Sequence, residues 1–92
     1  MNMDIGLDSV EIVVWAENEF AVEIADSVCS EILTLNQFVD CIHGLAYQKY
    51  GFDTPNKSEI YDRLIKLLMD KYEIPAESIF PNAEFIKDLG IQ

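Results

Sequence analysis

Basic residues are scarce in this chain, and its first half has none. Residues 1–48 hold nine acidic side chains and no Lys or Arg, whereas residues 49–92 hold all six basic side chains beside eight acidic ones. The formal charge is −11. Nucleic acid and anionic membrane surfaces reward cationic faces, so this balance argues against either as a partner and points to basic proteins instead. Long apolar runs are also missing: the longest, residues 12–16, is five residues, where a membrane-spanning helix needs roughly 20. The opening Met1-Asn2-Met3-Asp4 has neither a basic nor an apolar stretch, so a cytoplasmic protein is expected. Cys29 and Cys41 are the only cysteines. Without C-x-x-C spacing or a His pair they read as small core hydrophobes, not as a zinc site or disulfide framework. His43 stands alone, with no nucleophile at a companion spacing, and reads as a surface residue. No P-loop, G-x-G-x-x-G, G-x-S-x-G, H-E-x-x-H or EF-hand loop occurs, so no independent enzyme is expected.

What is present suits one small helical domain over residues 1–92, since half of the side chains are apolar and one modest core is within reach. From Ile60 the residues Ile60, Tyr61, Leu64, Ile65, Leu67, Leu68 and Tyr72 recur at spacings of three and four, which predicts a helix over 58–72. Asn56 or Ser58 can cap it, and Glu59 to Arg63 and Asp62 to Lys66 are acid-first pairs four apart. A second stripe, Leu35, Phe38, Val39, Ile42, Leu45 and Ala46, follows the cap residue Thr34 and stops near Gly51, predicting a helix over 35–50. Val10, Ile12, Val13, Val14 and Trp15 are strand formers by propensity. However, Asp8 with Glu11 three residues on resembles a capping box, and Glu17 to Glu19 does not alternate, so a helix over 9–20 buried on a wide face is predicted. Residues 73–90 form a long loop held by Ile74, Ile79, Phe80 and Phe85, and residues 51–57 form a connection that spans roughly 23 Å when extended.

One short element is written twice. Asp4-Ile5-Gly6-Leu7-Asp8 and Asp88-Leu89-Gly90-Ile91-Gln92 both read acid, aliphatic, Gly, aliphatic, polar. Its place at both ends is what results when a parent chain is cut inside a loop and its old termini are joined elsewhere. Joining the end to the start gives helix 58–72, the long loop, helix 9–20, a short irregular piece and helix 35–50.

In that order the residues resemble a known family. Asp70-Lys71-Tyr72-Glu73-Ile74-Pro75-Ala76-Glu77-Ser78-Ile79 looks like the end of the first helix of acyl carrier proteins, with the loop after it. Residues 80–90, ending Phe85-Ile86-Lys87-Asp88-Leu89-Gly90, look like that family's long loop, which ends in Leu-Gly before its modified serine. Gly6-Leu7-Asp8-Ser9-Val10 resembles the Asp-Ser-Leu motif, with Val10 for leucine. Phe20-Ala21-Val22-Glu23-Ile24-Ala25-Asp26 resembles Phe-Gly-Ile-Glu-Ile-Pro-Asp, with Ala21 and Ala25 as departures. Nearly the whole chain is covered, in permuted order.

The resemblance implies an all-α, four-helix bundle of acyl-carrier type, circularly permuted, with three main helices, one short one and a permutation linker at about 51–57. It implies that Ser9, beside Asp8, carries 4′-phosphopantetheine attached by a phosphopantetheinyl transferase, and that the arm holds acyl groups as thioesters. Glu11, Glu17, Glu19, Glu23 and Asp26 match the family's acidic face, which docks on basic patches of acyl-transfer or synthase enzymes. Val10, Val13, Phe20, Phe38, Ile42, Leu64 and Leu68 become candidates for an acyl cavity as well as core. A monomer is expected. Departures in spacing leave a second register open. The family has three more residues between its modified serine and the phenylalanine matched by Phe20, and gap-free alignment puts Gly6 at the attachment point. That register implies an acidic helical interaction adaptor without a prosthetic group.

Overall fold

A computed structural model describes residues 7–25, 27 and 32–91. Its described elements are three α-helices, α1 (Leu7–Phe20), α2 (Leu35–Tyr50) and α3 (Lys57–Lys71), and two 3₁₀ turns, Gly51–Asp53 and Ala76–Ser78. Among the described residues there is no strand, only an isolated antiparallel bridge between Thr34 and Glu84. The chain is thus a small all-α bundle. The segment joining α1 to α2 is described only at 21–25, 27 and 32–34, and the short fourth helix is not placed among the described residues.

Local chemistry explains where the helices start and stop. Thr34 caps α2 as its sequence suggested: Gln37 N–H donates to Thr34 Oγ1 (3.2 Å), and Gln37 Oε1 accepts from Thr34 N–H (3.1 Å). Asn56, not Ser58, caps α3, with Glu59 N–H donating to Asn56 Oδ1 at 2.8 Å. The helix therefore begins at Lys57 and leaves Ser58 inside its first turn. Helix α1 ends in a Schellman arrangement: Ala21 takes φ 53, and Val22 N–H donates to the Glu17 carbonyl at 3.2 Å. Just past the end of α3 a wider reversal occurs, with Glu73 at φ 57 and Ile74 N–H reaching back six residues to the Leu68 carbonyl. In both cases the next side chain, Val22 or Ile74, turns back into the core.

The core lies between the helices and the long loop. Ile12, Ala16 and Phe20 come from α1, Leu35, Phe38, Val39, Ile42 and Ala46 from α2, and Ile60, Leu64 and Leu68 from α3. Fully burying an aliphatic or aromatic side chain of this size contributes about 1.5–3 kcal/mol. Helix α2 has its most extensive packing against α3. The long loop is held as expected by Ile74 in the core and by Ile79 and Phe85 packed against it; Ala83, Leu89 and Ile91 add to the core, while Phe80, expected to help, is exposed. The loop also serves α2 directly. Pro81 and Ala83 carbonyls accept from Asn36 and Leu35 N–H (2.8 and 3.0 Å), two donors that the first turn of a helix leaves unpaired.

Helix α1 buries Ile12, Ala16 and Phe20 and packs Val13 and Trp15 against the core, leaving Val10 and Val14 exposed. One boundary needs correction: the helical backbone of α1 begins at Leu7, two residues before the start the sequence suggested.

Candidate functional site

The first described turn of α1, the segment before α2 and the end of the long loop enclose a cleft of about 340 Å³. Ser9, half-buried, stands on it with Ile12 and Val13 of α1. Ile32, Leu33 and Phe38 form the α2 side, and Glu84, Phe85, Ile86 and Lys87 form the loop side. The floor is aromatic, with Phe38 and Phe85 meeting edge to face, ring centroids 5.7 Å apart. The loop backbone is fastened here: Phe85 N–H donates to the Leu33 carbonyl at 2.9 Å, and Ile91 N–H to the Phe85 carbonyl at 2.7 Å. The walls are therefore held by main-chain bonds, and the cleft is apolar with a hydroxyl and two opposite charges at its edges.

Of the residues expected to line an acyl cavity, Val13 and Phe38 do so. Ile42, Leu64 and Leu68 are instead fully buried packing, Val10 faces solvent, and Phe20 lies at the other end of α1. Ile12, Ile32, Leu33, Ile86 and Lys87 were missed. The signal was available, because the permuted order already sets residues 84–90 directly before the segment that bears Ser9.

The acids of the expected docking face stay mostly exposed, but several make contacts within the chain. The Tyr72 hydroxyl donates to Glu11 Oε1 (2.9 Å), and Lys71 Nζ lies 3.7 Å from the same oxygen. Glu17 Oε2 accepts from Ile24 N–H at 2.9 Å, in a partly buried setting. Glu19 Oε2 lies 3.3 Å from Arg63, which also pairs with Glu59 as its i,i+4 spacing predicted. Glu23 is exposed, with no polar partner among the described residues. Asp26 lies outside the described residues. The acids of α1 thus tie that helix to α3 and to its own following loop.

Other candidates resolve simply. His43 is half-buried and stacks on Tyr47, centroids 6.2 Å apart. Asp40, three residues before it, pairs with Lys57 at 3.0 Å. Cys41 is half-buried on α2, and Cys29 lies outside the described residues. Trp15 is half-buried, edge-on to Phe20 at 5.7 Å. No group of His, Cys, Asp and Glu among the described residues is arranged to hold a metal ion. No helix among them is long and apolar enough to cross a membrane. The chain matches no protein-family model, no curated protein and no solved structure.

Proposed function

We propose that this chain is a cytoplasmic acyl carrier of the acyl-carrier-protein type in permuted order, monomeric, and modified at Ser9. The observation that carries the reading is the position of Ser9 on the apolar cleft, facing Phe85 and Ile86 of the loop that resembles the family's long loop. The cleft suits the implied 4′-phosphopantetheine: the Ser9 hydroxyl is a point of attachment, and an apolar cavity of this volume shelters an aliphatic chain. Ala21 adds independent support. The family places a glycine at this point of its motif, and Ala21 holds the left-handed conformation that glycine adopts at least cost.

When bound, the arm supplies a thiol that carries the acyl group as a thioester. The chain's own part is to present the Ser9 oxygen. In transfer from coenzyme A, a bond forms from that oxygen to phosphorus, the pyrophosphate link breaks, and adenosine 3′,5′-bisphosphate leaves as the serine proton passes to the transferase. Ile12, Val13, Phe38 and Phe85 then keep water from an acyl chain laid between them. Exposed Glu11, Glu19 and Glu23, together with Asp26, are the acids assigned to partner docking, while Glu17 is committed to the Ile24 N–H. Such docking is weak and salt-sensitive, as suits a shuttle.

One observation favours a second reading, an acidic adaptor of the same fold without the arm. Helical backbone at Leu7 and Asp8 puts the helix start earlier than the Ser9 register requires, closer to the register that sets Gly6 at the attachment point. Intact mass after incubation with coenzyme A and a broad-specificity phosphopantetheinyl transferase decides between them. The carrier reading expects a gain of one arm, abolished in Ser9→Ala. An unchanged mass in the wild-type chain overturns it in favour of the adaptor.

A further inference from the structure

An anion attached to Ser9 meets an unfavourable field, because the chain already carries −11. The disposition of the six basic side chains bears on this directly. Lys57 is held by Asp40, Arg63 by Glu19 and Glu59, Lys71 by Glu11, and Lys49 by the Ala21 carbonyl at 2.8 Å. Only Lys66, on α3, and Lys87 lack a polar partner among the described residues. Lys87 is also the sole cation lining the cleft that Ser9 lines.

The described acids nearby leave the Lys87 charge uncommitted. Asp88 Oδ2 accepts from Glu84 N–H at 2.8 Å, which engages that carboxylate within its own turn. Glu11, two residues beyond Ser9, is drawn towards Lys71 and Tyr72 of the α3 end. Glu84 lines the cleft but makes no ion pair with Lys87.

Resting on the carrier reading, we propose that Lys87 is a positioning residue: its ammonium pairs with the phosphodiester at the root of an arm on Ser9 and holds that root at the cleft mouth. The pair offsets the repulsion of the acidic chain at this one point and directs the arm along the apolar wall.

The test uses the full chain and separates the two levels. Intact mass first reports loading from coenzyme A. The Lys87 side-chain amine is then titrated by NMR on ¹³C-lysine protein, before and after loading. An opposite charge within a few ångströms favours the protonated amine, so the acid dissociation constant of Lys87 falls about threefold on loading, while that of Lys66 does not move. The ³¹P resonance of the loaded protein shifts in Lys87→Gln and keeps its wild-type position in Lys87→Arg. Loaded protein whose Lys87 titrates as before, and whose Lys87→Gln variant keeps the wild-type phosphorus resonance, overturns this role and leaves the carrier reading standing. No mass gain overturns both.

Discussion

At the scale of single residues, Ala21 and Glu73 are instructive. Both are non-glycine residues with positive φ, one at the close of α1 and one just past the end of α3. Nothing in their identity announces this, because a left-handed residue after a helix is usually glycine. For Ala21 the resemblance marked the position as a departure, and the backbone explains why glycine would suit it. Replacing Ala21 by Gly removes about 1–2 kcal/mol of left-handed strain and adds about 0.4–1 kcal/mol of unfolded-state entropy cost. Ala21→Gly is therefore expected to raise stability by about 0.5–1 kcal/mol. Urea unfolding at matched slope measures it, and a loss of stability would show that the positive φ carries no strain.

At the scale of elements, α2 and α3 were legible and α1 only partly so. Thr34 and Asn56 are capping types directly ahead of clean three-and-four stripes, so local chemistry and burial agree. In α1 nearly every position from Val10 to Ala16 is apolar, and such a run does not reveal which side is covered. The neighbours decide: Ile12, Ala16 and Phe20 meet the core while Val10 and Val14 do not. The role of Glu17 was hidden for a similar reason. Its partner, the Ile24 N–H, is seven residues away and reaches it only because the chain reverses at Ala21. A hydrogen bond to a charged group contributes about 1.5–3 kcal/mol, so Glu17→Ala should destabilise by roughly 1–3 kcal/mol and Glu17→Gln, which keeps an acceptor oxygen, by less. Thermal unfolding of the pair checks this. Equal stability of both variants and wild type would return Glu17 to the docking face.

At the scale of the whole molecule, charge dominates. The cross-element ion pairs of Lys57, Arg63 and Lys71 are exposed on both sides, and pairs of this kind contribute about 0–1 kcal/mol each. Self-repulsion of a chain at −11 acts against them over longer range. At 0.1 M salt the screening length is about 10 Å, short enough to suppress distant repulsion while close contacts persist. The melting temperature should therefore rise with sodium chloride. Calorimetry across a salt series tests it, and a flat or falling curve would mean that the ion pairs outweigh the repulsion.

Periodicity, capping residues and composition sufficed to determine an acidic all-α chain with helices near 9–20, 35–50 and 58–72, within two residues of those observed, because these depend on neighbours within a few residues. The cleft beside Ser9, the contacts of Glu11, Glu17 and Glu19 with α3 and the following loop, and the lack of a polar partner for Lys87 among the described residues were decided only by the tertiary structure. Each depends on segments far apart in the chain meeting in space, as when Phe85 reaches Leu33 and Lys87 comes to the same opening as Ser9. A pattern of residue types constrains which face of a helix is apolar, but which charges remain unpaired depends on what packs against them.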